Sequence, residues 1–225
     1  MAITTGTANV QIILDTDSKL IAKFLYFTSN GTDEADALKI NVETLAARTF
    51  VLEVQNANTG VFVPGETILG QTSNATARVV EWKKAEKKLT VVNLTGNTAF
   101  TDGETIRTTL YNTSNTALKA SGAQTTPPRT LDVSGIWYSV DPDMTVELGY
   151  GGVYANTTPF VAPVILLSGA GYYGKNALPG LLPNAMLNAT GHVYTSTYTT
   201  TSAKAAYSVV VEFRKTKGFA GVAIP

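Results

Sequence analysis

The chain has no cysteine, which removes disulfide staples and thiolate metal sites from consideration and fits a reducing compartment. Charge is also scarce. Only 15% of the residues are charged, against about 25% in a typical soluble domain. The 17 basic and 17 acidic side chains cancel to a formal net charge of zero, so electrostatics offer no case for a nucleic-acid partner or an acidic membrane surface. Long apolar runs are missing as well. The longest, Phe160 to Leu167, is interrupted by Pro163 and falls far short of a bilayer span. The opening MAITTGTANV lacks a basic and an apolar region, so no secretion signal is expected. Without one, the Asn-x-Ser/Thr triplets at Asn30, Asn74, Asn93, Asn112, Asn156 and Asn188 reflect an Asn/Thr-rich composition rather than glycosylation.

Thr, Asn, Gly, Ala and Val take the place of the missing charge. Thr and Val suit pleated strands, and Asn and Gly suit the turns between them. The hydrophobic period is two almost throughout. Leu38, Ile40 and Val42 alternate with polar residues. So do Met144, Val146, Leu148 and Tyr150, and later Tyr207, Val209, Val211 and Phe213. Each run reads as a strand with one buried face. Turn clusters such as SNGTDE, NANTG and VDPDM separate them, and no window makes a long amphipathic helix. The expected fold is therefore all-β: an antiparallel β-sandwich, jelly-roll-like, built from residues 1–55 and 123–225. A small β-barrel-like module over residues 56–122 is expected to be inserted in it.

That module contains a duplication. FVPGETI (Phe62–Ile68) returns as FTDGETI (Phe100–Ile106), and Ser73, Asn74, Thr76 and Ala77 after the first copy match Ser114, Asn115, Thr116 and Ala117 after the second. Gly-Glu-Thr-Ile reads as a tight turn feeding a strand. Between the copies, ATARVVEW and LTVVNL flank KKAEKK, a hairpin whose lysine-rich tip is expected in solvent. Two copies are too few for a solenoid.

Several stretches imitate chemistry. SGAGYYGKN spells G-x-G-x-x-G through Gly169, Gly171 and Gly174, and G-x-x-x-x-G-K through Lys175. A phosphate loop also needs a following helix and a Ser/Thr hydroxyl, whereas position 176 is Asn and Pro179 and Pro183 follow. The dinucleotide variant needs a downstream carboxylate, yet no acid lies between Glu147 and Glu212. The stretch is expected to be a glycine-rich turn exposing Tyr172 and Tyr173. DEAD at Asp33–Asp36 is expected to be a polar loop. His192 is the only histidine and has no G-x-S-x-G elbow beside it. The pairs Asp15/Asp17 and Asp141/Asp143 lack the glycine and distal glutamate of a calcium loop. Glu66 and Glu104 are equivalent by duplication, which accounts for them without a glycosidase pair. No catalytic, cofactor-binding or metal-binding residue is assigned, and no enzyme is expected.

One regional feature points to contact with other proteins. From Gly149 to Val211 the only charged side chains are Lys175 and Lys204, among many tyrosines. Interface cores are depleted of charge and enriched in Tyr and Phe. Tyr172, Tyr173, Tyr194, Tyr198 and Phe160 are the candidate contact residues.

GVFVPGETILGQTSNATARVVEW, followed by a second FTDGETI, resembles the G-E-x-I-x-G-x-x-S-x-A-x-A-x-V element of virion structural proteins of tailed bacteriophages. GIWYSVDPDMTVELGY through YSVVVEFRKTKGFAG is likewise similar to structural proteins of phages, including cyanophages. The second copy departs from the element: Thr108 stands where the first has Gly70, and three residues are inserted before Ser114. The resemblance implies a non-enzymatic particle component, foremost a capsid decoration (cement) protein, assembled in the host cytoplasm and carried in the virion. It would contact the major capsid protein or other virion proteins and form homo-oligomers, with no nucleic acid, membrane or cofactor. The alternatives are a neck or tail component, or a carbohydrate-binding β-sandwich with Tyr172, Tyr173, Tyr194 and Tyr198 as its stacking platform.

Overall fold

The computed structural model describes residues 9–55, 62–93, 99–108, 118–119, 124–153, 159–174, 189–199 and 204–220. Ser114–Ala117 of the second repeat copy, Lys175, Asn176, Asn112, Asn156 and Asn188 lie outside them. The described residues form fifteen strands and two single-turn 3-10 helices, and every ladder is antiparallel. The all-β class expected from the period-two pattern is thus the class observed.

The chain divides into two compact units, Met1–Ala46 with Pro128–Lys217, and Ala47–Pro127 with Gly218–Pro225. These bounds differ from those placed at the turn-rich stretches. Strand pairing accounts for the difference: β4 (Thr49–Glu53) pairs residue for residue with β7 (Lys88–Asn93), and Thr125 bridges Val51. Local turn signals carry no information about such partners.

The first unit holds two sheets. One has the order β1 (Asn9–Asp15), β2 (Lys19–Thr28), β15 (Ala205–Lys217), β10 (Thr130–Val140), β13 (Ala170–Tyr173). The other has the order β12 (Pro159–Leu167), β11 (Met144–Val153), β14 (Ala189–Thr199), β3 (Ala37–Ile40). Strand alternation places every second side chain inside. Leu20, Ala22, Phe24 and Tyr26 do this on β2, Met144, Val146, Leu148 and Tyr150 on β11, and Tyr207, Val209, Val211 and Phe213 on β15. Hydrogen bonds tie the inner faces together: Tyr150 Oη donates to the Leu131 carbonyl at 2.8 Å, and Tyr207 Oη lies 3.3 Å from Thr195 Oγ1. Asp141 closes the β10–β11 hairpin, accepting the Asp143 amide on its side chain and the Met144 amide on its carbonyl.

β3 departs from the expected alternation. Leu38 is exposed while Lys39, Ile40 and Val42 are buried, and Val42–Thr44 turns into a 3-10 helix. A register irregularity between Val193 and Tyr194 on the partner strand lets Lys39 and Ile40 both point inward. Lys39 is admitted because Glu34 neutralises it at 2.5 Å.

The second unit is one sheet with the order β4, β7, β6 (Thr76–Lys83), β5 (Thr67–Gly70), β8 (Thr105–Thr108), β9 (Leu118–Lys119). Among the described residues this ladder is open, because β4 and β9 stand at its two ends. The barrel-like closure expected from the repeat is not present there. Leu52, Phe62, Ile68, Val79, Leu89, Val91, Phe100 and Ile106 belong to its core, with Trp82 packed against it. The lysine-rich tip between β6 and β7 is solvated, and Lys84, Lys87 and Lys88 are all exposed.

The duplication has a definite geometry. β5 and β8 pair with each other through Ile68–Thr108, Leu69–Arg107 and Gly70–Ile106. Shifting each residue to its repeat equivalent exchanges the first and third pairs, so the copies are related by a local two-fold axis at Leu69 and Arg107. Each strand is preceded by the same turn. Glu66 N donates to the Val63 carbonyl and Glu104 N to the Thr101 carbonyl. Gly65 and Gly103 take φ of +92° and +74°, which a side chain would resist.

Candidate functional site

The carboxylates singled out as possible chemistry are absorbed by the fold. Asp33, Glu34 and Asp36 form a clasp that runs along β14 rather than a free polar loop. Asp33 Oδ1 accepts from Thr199 N and Thr199 Oγ1, both at 2.9 Å. Thr197 N donates to the Glu34 carbonyl, and Glu34 N donates back to Thr197 Oγ1 at 2.7 Å. Asp36 exchanges hydrogen bonds with Ser196 through its amide and carboxylate. The Glu34 side chain turns inward, where Lys39 Nζ, Tyr207 Oη at 2.6 Å and Thr195 Oγ1 at 3.2 Å all donate to it. Burial, and then the Glu34 charge, push the Tyr207 hydroxyl up. Glu34, Lys39, Thr195 and Tyr207 are all buried.

Other candidates resolve the same way. Asp15 accepts from Lys215 Nζ and from the Ala46 amide. His192 Nδ1 accepts the Val42 amide at 3.2 Å, so it acts as an acceptor on a half-buried ring. Desolvation pulls it below its ordinary value, against the pull of Glu43. Among the described residues no group of three or more His, Asp or Glu side chains is placed to hold a metal ion.

Glu66 and Glu104 lie in equivalent turns and meet different surroundings. Each accepts the amide three residues before it, from Val63 at 2.9 Å and from Thr101 at 2.6 Å. Glu104 also accepts from Thr72 N, Ser73 N and Ser73 Oγ at 2.9, 2.9 and 2.8 Å, so it ties the second copy to the turn that ends the first. A Cβ on Gly70 would stand 2.6 Å from Glu104 Oε1 and from Ser73 Oγ. The glycine of the element is therefore required by this clasp. The second copy has Thr108 at the position equivalent to Gly70. Glu66 Oε2 is buried with no hydrogen-bond partner among the described residues.

The aromatic candidates divide between the two sheets of the first unit. SGAGYYGKN does not form a loop through its tyrosines: Gly169, at φ +70°, makes the turn, and Ala170–Tyr173 is strand β13 at the edge of the five-stranded sheet. Tyr172 and Tyr173 therefore point to opposite faces. Tyr172 pairs with Trp137 across the strands, ring centroids 4.9 Å apart and tilted 30°. Tyr173 stacks on Tyr138 at 5.6 Å and is half-buried. Tyr194 and Tyr198 share the outer face of the four-stranded sheet, opposite Gly149 and Thr145. Phe160, half-buried, lies on β12 opposite Gly152. The four tyrosines thus make no single platform. Trp137, absent from the sequence-based set, is the natural partner of Tyr172. Only the cross-strand register joins them.

Strand glycines explain how these rings lie. A Cβ on Gly135 would meet the Trp137 ring at 3.4 Å, and one on Gly174 would meet the Tyr172 hydroxyl at 2.6 Å and its ring at 2.8 Å. Similar Cβ atoms on Gly171 and Gly151 would strike Tyr138 and Tyr194. Each of these side chains approaches the bare backbone of a strand glycine, a contact that restores some of the packing a strand glycine lacks.

No family model matches this chain, and no curated protein matches it. Among solved structures, a chain described as the complete structure of manganese lipoxygenase of Gaeumannomyces graminis and partial structure of zonadhesin of Komagataella pastoris aligns with 95% of this chain and 84% of its own, at 9% identity. Its TM-score of 0.15 is too low to carry any inference about fold or function.

Proposed function

We propose that the chain is a non-enzymatic structural component of a phage particle, foremost a capsid decoration protein that stabilises the head shell by protein–protein contact. The observation that carries this reading is the outer face of the four-stranded sheet. Leu38, Leu166 and Tyr198 are 48%, 58% and 51% exposed, and Tyr194 lies between Leu38 and Gly149. Glu147, the acid on this face of β11, accepts the Tyr198 hydroxyl at 2.9 Å. An apolar, tyrosine-bearing, charge-poor sheet face has the composition of an interface core. The phage-like G-E-T-I element supports the particle assignment, and here its second copy clasps the turn that ends the first. The partners under this reading are the major capsid protein and further copies of the chain. Repetition over the shell would turn a modest contact into firm attachment.

The test is occupancy. Virions carrying the chain should hold it in many copies over the head, measured by quantitative mass spectrometry and imaging. Leu166→Asp with Tyr198→Asp would bury unpaired carboxylates at the contact, each costing on the order of a few kcal/mol, and should abolish rebinding to particles stripped of the protein. A handful of copies at one vertex would move the protein to the neck or tail. Its absence from purified virions would end the particle reading.

A further inference from the structure

We propose that Lys215 and Asp15 join in an intramolecular amide (isopeptide) bond, a covalent staple in a chain without cysteine. The bond lies on the inner face of the five-stranded sheet and does not depend on the contact face proposed above. Register brings the two residues together from opposite ends of the chain. Asp15, the last residue of β1, faces Leu20 on β2, and Leu20 faces Phe213 on β15. Lys215 follows Phe213 by two residues on the same buried face. Its side chain is fully buried, and that of Asp15 is 20% exposed. Lys215 Nζ lies 2.5 Å from Asp15 Oδ1 and 2.8 Å from the Ala46 carbonyl oxygen. The Ala46 amide donates to Asp15 Oδ2 at 2.7 Å. One residue, Ala46, thus brackets the amine with its carbonyl and the carboxylate with its amide.

In water such a condensation runs backwards, because both ions are well solvated and water is abundant. Burial reverses the balance. An ion pair taken out of water is costly, and a neutral amide removes both charges at once. Fixed proximity supplies the effective concentration that a bimolecular reaction lacks. The atoms balance without a co-reactant. One ammonium proton passes to Oδ1 along the existing hydrogen bond. The Nζ lone pair then adds to Cγ, and the charge that develops on Oδ2 is met by the Ala46 N–H, which serves as an oxyanion donor. A second Nζ proton moves to Oδ1, the Cγ–Oδ1 bond breaks, and water leaves on the partly exposed Asp15 side. The product carries one N–H and one C=O, which the Ala46 carbonyl and amide satisfy. At the other buried pair, Lys39 Nζ stands 5.9 Å from the centroid of the Tyr207 ring, a position that favours the charged ammonium. The bond is therefore assigned to Lys215. It pins β1, whose other residues are mostly exposed, to the long strand β15.

The experiment is mass spectrometry on the intact chain, held folded at neutral pH until its mass is constant and then unfolded in urea. The wild-type chain should be lighter than its sequence by one water. Trypsin should leave Lys215–Lys217 joined to the peptide that ends at Lys19, because an acylated Lys215 is no longer a cleavage site. Fragmentation of the joined peptides should locate the bond at Asp15. Lys215→Arg and Asp15→Ala should each show their full encoded mass, a readout that does not require either variant to fold. Both should run more slowly than wild type on denaturing gels, because the ring that the bond closes is then open. A wild-type mass equal to that of the sequence would overturn the proposal. So would water lost elsewhere, as a succinimide at Asp102-Gly103 or an amide between Glu34 and Lys39, with Asp15 and Lys215 recovered in separate peptides.

Discussion

Glu66 and Glu104 each follow a glycine at positive φ, and each accepts the amide of the residue three before it. They share a repeat position, and burial pushes both carboxyls upward. For Glu66 only the Val63 amide opposes that push, and it sits above the usual carboxylate range. For Glu104 desolvation is also the largest single influence, yet the combined hydrogen bonds from Ser73, Thr101 and Thr72 carry it below that range. The consequences for stability have opposite signs. The Glu104 contribution is fully present above the ordinary carboxylate pKa and is lost as pH falls through the lowered folded value. Stability associated with protonated Glu66 is full below the ordinary value and is lost as pH rises through the raised one. Glu104→Gln should therefore destabilise the protein at pH 7 by about 3 kcal/mol, because an amide nitrogen would confront two backbone donors. Glu66→Gln should raise the melting temperature at pH 7, and that gain should vanish in acid where Glu66 is already neutral. Melting curves of both variants from pH 3 to pH 8 decide this. Equal losses at pH 7 would show that the two copies are electrostatically alike.

Elements were legible in proportion to how local their signals are. β11 and β15 read directly from alternation, and the residues expected inside are inside. The KKAEKK hairpin read from its charge run. The turns of the duplicated motif read from glycine. Signals that depend on a partner strand were invisible. Lys39 looked like the polar side of β3 and is buried, because its counter-ion lies five residues upstream in a stretch that looked like a polar loop. Gly171 and Gly174 looked like turn residues because nothing local announces that tyrosine side chains will approach them. Trp137 was missed for the same reason. The clasp from Asp33 to Asp36 gives a test at this scale. Glu34→Ala would leave Lys39 buried without its carboxylate and remove the acceptor of Tyr207, a loss of about 3 to 5 kcal/mol. Replacing Glu34 and Lys39 together by Gln and Met should recover much of it, since the uncompensated charge is then gone. If the double variant were no more stable than Glu34→Ala, the ion pair would not be what sets the cost.

At the scale of the whole molecule, each unit carries its own buried cluster and its own closed set of sheet pairings. No ladder is shared between the three sheets, and the six-stranded sheet packs its core from its own residues. The unit boundaries follow from pairing: Thr49 N donates to the Gly218 carbonyl, Arg48 bridges Phe219, and Ala220 N donates to the Ala47 carbonyl. The stretch after β15 therefore belongs with the β4 unit although β15 itself does not. Excision of Ala47–Pro127, with a short Gly/Ser bridge from Ala46 to Pro128, removes one complete sheet and cuts no strand of the other two. It also strips Phe219, fully buried in the intact chain, of its surroundings, so the excised form should end at Lys217. That form should retain a cooperative thermal transition and the near-ultraviolet signature of packed Tyr150 and Tyr207. Excision at the turn-rich stretches instead, removing residues 56–122, leaves β4 without β7 and exposes Leu52 and Val54. That form should melt earlier and precipitate sooner. Calorimetry on both forms separates the cases. Loss of cooperativity in the Ala46–Pro128 form would mean that the sandwich cannot fold without the six-stranded unit, and equal behaviour of the two forms would mean that β4 does not depend on its ladder.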